Sequence, residues 1–203
     1  MLDKQKALQV MKSFLSFLDH RQVVVLKGGS AINLIYGSGR FSDDLDFDGE
    51  QGVNIENLVS QYCADGNYTY RVAKDTNQVK RYMINYGAAK PLKVEVSYRH
   101  LAEGEIIEGG FCYVYSVEEI LRQKTSALAN RDRARDIYDV HFLLSNYTRY
   151  ISESTWHGLK QAVMEKGVDL LSHTFAGDRQ NCYFPESTDG DILILEICEM
   201  LKI

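Results

Sequence analysis

Apolar positions along the chain change their period near its middle. Leu8, Met11, Leu15 and Leu18 recur at helical spacing and predict an amphipathic N-terminal helix. Val23-Val24-Val25-Leu26, mostly β-branched, then suits a strand buried on both faces. Alternation of period two marks further strands near 44–48, 68–73, 79–86, 92–98 and 111–115, interleaved with short helices. From Ser116 onward the spacing turns helical, with helices expected at 116–129, 132–146, 153–172 and 189–202. Ser116-Val117-Glu118-Glu119 has capping-box spacing and leads into a stripe of Ile120, Leu121, Ala127 and Leu128, which places Lys124 on a helix. The pattern predicts an α/β (α+β) chain. Residues 1–115 are expected to form a mixed sheet flanked by helices, and residues 116–203 a mainly helical C-terminal lobe that supplies the basic side of a cleft between the two.

Composition narrows the class. At 203 residues, 45% hydrophobic and 25% charged, the chain suits a soluble globule of one good-sized domain or two small lobes. No apolar run approaches membrane-spanning length, and Met1-Leu2-Asp3-Lys4-Gln5-Lys6 leads into an amphipathic helix instead of a signal segment. The expectation is a cytoplasmic protein with no membrane partner. Cys63, Cys112, Cys182 and Cys198 are scattered without paired spacing, which indicates neither zinc nor a disulfide framework. His20, His100, His141, His157 and His173 likewise show no ligand spacing. Tyr68, Tyr70, Tyr82 and Tyr86 could offer base-stacking surfaces, but strand alternation better explains them as sheet packing.

Candidate chemistry begins where the first strand must stop. Gly28 and Gly29 permit left-handed backbone and close approach to the main chain, and Ser30 can cap the helix suggested by Ala31, Leu34 and Ile35. Free N–H groups at such a helix start favour a phosphate, while an ordinary strand-to-helix turn is the competing explanation. Asp44, Leu45, Asp46, Phe47 and Asp48 then alternate acid with apolar, so the three aspartates share one face of a strand. Adjacent like charges need a cation, hydrogen bonds or full solvation. Mg²⁺, which takes one or two carboxylates together with phosphate oxygens and water, answers that need for Asp44 and Asp46. Asp48, beside Gly49, better fits a solvated strand end. Glu95 lies between Lys93 and Ser97 on the polar face of 92–98, where it meets the acids if the two strands pair, and otherwise belongs to an exposed Lys/Glu face.

Between Leu121 and Arg135 the charge reverses. Arg122, Lys124, Arg131, Arg133 and Arg135 stand against Asp132 alone, in a chain of net charge −5. The window suits a triphosphate or an RNA backbone. It also suits helices laced by Arg–Asp bridges, Arg135 with Asp139 having the one-turn spacing and Arg133 fitting this structural role.

Taken together, Gly28-Gly29-Ser30 and Asp44-x-Asp46 resemble the nucleotidyltransferase superfamily, whose fold is related to DNA polymerase β, and Glu95 matches its third carboxylate. Arg40-Phe41-Ser42-Asp43-Asp44-Leu45-Asp46-Phe47, with Lys124-Thr125-Ser126-Ala127-Leu128-Ala129-Asn130-Arg131 and Arg135-Asp136-Ile137-Tyr138-Asp139, narrow the resemblance to the AbiEii/AbiGii toxins of type IV toxin-antitoxin and phage-defence systems. The likeness covers about residues 23 to 145. It implies metal-dependent transfer of a nucleoside monophosphate from an NTP to an acceptor hydroxyl, with RNA such as a tRNA 3′ end as acceptor and an antitoxin protein as partner. By the same resemblance Asp44, Asp46, Glu95, Lys124 and Asp136 are catalytic. Asp44, Asp46 and Glu95 hold the metal, Mg²⁺ or alternatively Mn²⁺. Gly28, Gly29, Ser30, Arg40, Ser42, Lys124, Arg131 and Arg135 bind the nucleotide. Two other functions are compatible with the acids: a catalytically weak nucleotide-binding protein acting through a protein partner, and a metal-dependent phosphoesterase that needs no triphosphate donor.

Overall fold

Asp3 caps the first helix by accepting a hydrogen bond from the Lys6 N–H at 3.0 Å, and α1 runs over Lys4–Leu18. Its buried stripe holds Met11, Leu15 and Leu18, adds Ala7, Val10 and Phe14, and leaves Leu8 half buried. This computed structural model describes residues 3–20 and 24–203, so Val23, expected to open the first strand, lies outside the described residues. The chain continues through β1 (Val24–Lys27), α2 (Gly28–Leu34), β2 (Asp44–Gly49), α3 (Glu56–Asp65), β3 (Thr69–Asp75), β4 (Val79–Asn85), β5 (Leu92–Ser97), β6 (Ile106–Glu108) and β7 (Tyr113–Tyr115). Then come α4 (Val117–Asn130), α5 (Ala134–Tyr147), α6 (Glu153–Lys166), α7 (Val168–Asp178) and α8 (Gly190–Leu201).

The strands form one mixed sheet in the order β3-β4-β5-β2-β1-β7-β6. β2 pairs with β5 and β1 with β7 in parallel, and the other neighbours are antiparallel. The central position of β1 and β2 explains why Val25, Leu26, Leu45 and Phe47 are fully buried. Phe14 of α1 meets Tyr62 of α3 edge to face with ring centroids 5.1 Å apart, tying the two helices together.

The described residues divide into two compact units. One comprises Met1–Tyr36 with Ser42–Tyr115, and carries the sheet. The other comprises Gly37–Phe41 with Ser116–Ile203, and carries α4 to α8. Within it, the short segment before β2 is anchored by the Phe41 N–H, which donates to the Tyr183 carbonyl at 3.1 Å. Ser116 caps α4 by accepting from the Glu119 N–H at 3.2 Å, as its spacing predicts.

Two local expectations are corrected. The single helix expected at 153–172 is two helices, because Gly167 adopts φ +76°, which ends α6 and starts α7. Ser30 is not the cap of α2: Lys27 holds that position, and the Ser30 hydroxyl makes no capping bond. Among the described residues no helix is long and apolar enough to cross a membrane.

Candidate active site

The alternating strand β2 sets Asp44, Asp46 and Asp48 on one face, and register decides what each of them meets. Asp44 lies opposite Lys93 and Asp46 opposite Glu95 on the parallel neighbour β5. Lys93 reaches across to both carboxylates, its Nζ 2.9 Å from Asp44 Oδ2 and 3.1 Å from Asp46 Oδ1. The acid pair therefore converges on one cation position, held by an ammonium of this chain. Burial lowers the Lys93 pKa, but the charges of Asp46 and Asp44 outweigh it and leave the ammonium raised. Burial also pushes the Asp44 carboxyl up, and the hydrogen bond and charge of Lys93 offset this only in part.

The third aspartate differs from its expectation as a solvated strand end. Asp48 is buried, paired with the Lys27 ammonium, and accepts a hydrogen bond from Tyr115 Oη at 3.1 Å. Only 3% of Asp48 is exposed, and its charge is matched locally by Lys27. Glu95 faces the acids as expected, but its Oε2 accepts from Arg81 Nε of β4 at 2.5 Å. Among the described residues no three His, Cys, Asp or Glu side chains gather as a metal cluster. The face presents a pair of carboxylates, with Glu95 opposite Asp46 on the neighbouring strand.

The glycine turn stands next to this pair. Gly28 adopts φ +68°, the left-handed region where a side chain is disfavoured, and links β1 to α2. Buried Ser30 directs its hydroxyl at the Asp44 carbonyl and lies 3.3 Å from Ser42 Oγ, so it fixes the start of β2 against α2.

In the helical unit the late motifs build a different object. Asp136 and Asp139, one turn apart on α5, are both fully buried. Lys124 Nζ of α4 sits 3.1 Å from Asp136 Oδ1 and 2.7 Å from Asp139 Oδ2. Arg40 grips Asp139 with two bonds of 2.8 and 2.9 Å, and Arg131 grips Asp136 with two of 2.7 and 3.0 Å. Three cations thus surround two carboxylates. Burial raises the Asp136 pKa, yet Arg131 and Lys124 overcome it and hold the carboxyl below the usual carboxylate range.

This cluster sorts the expected residues. Arg40 and Lys124 are buried with their donors facing carboxylates, whereas the Arg131 side chain remains 46% exposed. Arg135 is exposed and enters no ion pair among the described residues; its expected partner Asp139 is taken by Arg40 and Lys124. Arg133 pairs with Asp178, whose other oxygen accepts from the Ala134 N–H at the start of α5. Sequence reasoning gave Lys93 and Asp139 no site role. The signals were present, Lys93 on the polar face beside Glu95 and Asp139 one turn beyond Asp136.

Comparison with known proteins gives the chain a family and a shared fold. Over residues 9–181 the chain matches the profile of the family described as nucleotidyl transferase AbiEii toxin, type IV toxin-antitoxin system. The crystal structure of JHP933 from Helicobacter pylori superposes with a TM-score of 0.84 at 27% identity, covering 98% of this chain and 90% of that one. MenT4, a nucleotidyltransferase toxin from Mycobacterium tuberculosis, shares the fold with a TM-score of 0.59 at 17% identity, over 96% of this chain and 82% of that one. No curated protein matches the sequence. The extent of the profile match, which takes in the glycine turn, the acid pair and the Lys124–Asp136 cluster, shows that the chain belongs to the AbiEii family of nucleotidyltransferase toxins.

Proposed function

We propose that the face bearing Asp44 and Asp46 transfers a nucleoside monophosphate from an NTP to a hydroxyl at the end of an RNA, and that an antitoxin protein restrains this activity. The observation that carries the reading is the convergence of both carboxylates on one cation position, within 2.9 and 3.1 Å of Lys93 Nζ. The ammonium marks where a cation is held, and two carboxylates are what Mg²⁺ commonly takes from a protein when phosphate supplies further oxygens. Asp44 and Asp46 would hold Mg²⁺ or Mn²⁺, which neutralises charge on the phosphoryl oxygens and on the leaving pyrophosphate.

The remaining work falls to side chains and backbone. The left-handed turn at Gly28 lets the main chain approach the triphosphate closely. Ser30, tied to Ser42 and to the Asp44 carbonyl, keeps that turn and the first acid in a fixed relation. Glu95 has one oxygen engaged by Arg81 and the other without a partner among the described residues, which suits it to receive the acceptor proton. The acceptor oxygen then attacks the α-phosphorus, the bond to the β-phosphate oxygen breaks, and pyrophosphate leaves. In the helical unit, Asp136 orients the exposed guanidinium of Arg131, whose chemistry suits a phosphate, while Lys124 locks Asp136 and Asp139 in place. The test is incubation with each α-labelled NTP, Mg²⁺ and total cellular RNA, followed by mass spectrometry of the labelled species. Label in RNA supports the reading, and label confined to free nucleotide rejects it.

A further inference from the structure

The polar face of the sheet does not end at the acid pair. Register carries two rows of side chains from β2 to the edge strand: Asp44, Lys93, Met83 and Arg71 in one, and Asp46, Glu95, Arg81 and Lys74 in the other. A β-bulge makes the second row possible. The register of β3 shifts between Val72 and Lys74, so the extra residue returns Lys74 to the face that Arg71 already occupies. Without it Lys74 would point to the opposite side.

Charge changes along these rows. Lys93 is matched by the aspartates and Arg81 by Glu95, whereas Arg71 and Lys74 are exposed and enter no ion pair among the described residues. In a chain of net charge −5 this leaves a local basic edge about 14 Å from the acids, three strand spacings away. A cleft of about 310 Å³ opens beside it, lined by Arg71, Thr69, Met83, Asn85, Ala88 and Pro91. Its lining combines the apolar Met83 with the Thr69 hydroxyl and the Asn85 amide, whose oxygen also accepts from the Gly87 N–H at 3.0 Å, a mix of groups that suits a planar base with a polar edge.

We infer that this face is the docking track for the acceptor, a single-stranded RNA end whose phosphates meet Arg71 and Lys74 and whose base enters the Met83–Asn85 cleft. The inference rests on the proposal that RNA is the acceptor, and it adds where the strand lies. Charged residues on an edge strand also deter sheet-to-sheet aggregation, and the test separates that role from docking.

The experiment measures binding of a fluorescein-labelled single-stranded RNA dodecamer by anisotropy, without NTP, across a salt series. Arg71→Ala/Lys74→Ala is expected to weaken binding at least about tenfold and to reduce the slope of log K against log salt by about 1.4, two contacts at roughly 0.7 each. Both positions are exposed, so folding is preserved, and circular dichroism verifies this. Asn85→Ala is expected to weaken binding with the slope unchanged. Wild-type affinity in the double variant overturns the inference, with self-association of that variant assigning the cations to edge protection; absence of RNA binding by the wild type overturns it too. Failure of the nucleotidyl-transfer proposal reads differently, as RNA that binds but acquires no label.

Discussion

The Lys93 ammonium lies 2.9 Å from the Asp44 carboxylate and closes the acid pair with a cation from the adjacent strand. The contact relieves the repulsion between Asp44 and Asp46, and under the proposed function Lys93 competes with the divalent ion for those carboxylates. Lys93→Met is therefore expected to tighten Mn²⁺ binding about tenfold, or about 1.4 kcal/mol. Titration followed by electron paramagnetic resonance measures this directly. Unchanged or weaker Mn²⁺ binding would show that Lys93 does not share the site.

Asp139 neutralises Arg40 and Lys124 where none of the three has much access to water. Asp139→Ala leaves two buried cations with one remaining carboxylate. Loss of one partner from such a cluster costs about 3–5 kcal/mol. Urea denaturation should show a loss of that size, and Arg40→Met combined with Asp139→Leu should recover part of it. A loss below about 1 kcal/mol for Asp139→Ala would mean that the cluster does not hold the helical unit together.

Three carboxylates of the helical unit sit below their usual pKa range. In each, burial acts to raise the value and is outweighed, in Asp136 and Asp178 by hydrogen bonds and arginine charge, and in Glu118 by hydrogen bonds donated by Ser152 and Thr155 at the start of α6. An unfolded chain takes up protons at these groups near pH 4, before the folded chain does. Their contribution is thus complete above about pH 4 and is lost as pH falls through the depressed folded values. The urea midpoint should hold between pH 7 and about pH 5 and then drop, with a shallower drop in Asp178→Asn. An acid limb unchanged by that substitution would remove Asp178 from the explanation.

Gly28 has φ +68°, and a methyl group added there would meet nothing within 4 Å. Any effect of Gly28→Ala comes from backbone strain alone, about 1–2 kcal/mol for a non-glycine residue in this region. We expect a stability loss of that order and a raised KM for NTP, measured by thermal unfolding and initial rates. An unaltered KM would separate the turn from nucleotide binding.

How far the fold could be read from sequence depended on whether an element's information was local. Alternation in Asp44–Asp48 was enough to put the aspartates on one face, and the capping spacing at Ser116 was enough to start α4. Register is not local. Nothing in 92–98 alone says that Lys93 lies opposite Asp44, so the sequence shows Lys93 only as a neighbour of Glu95 on a polar face. Asp139 misleads for a related reason: Arg135 offers a partner one turn away, while the residues that hold it are Lys124 on α4 and Arg40, 99 residues upstream. Ser30 had the composition of a cap, but the carbonyl of Asp44, distant in sequence, claims its hydroxyl. Gly167 broke a helix that the apolar spacing continued through, since periodicity is silent about one left-handed residue. β6 is only three residues long and offers too few positions for a period to emerge.

The central claim is that Asp44 and Asp46 carry nucleotidyl transfer to RNA. Transfer of α-labelled nucleotide to cellular RNA in Mg²⁺, compared between the wild type and folded Asp44→Ala/Asp46→Ala protein, tests it most directly. The expected result is label incorporation by the wild type and a loss of at least about a hundredfold in the variant, the scale on which removing charge stabilisation from a transition state acts. Equal incorporation by the two proteins would contradict the account.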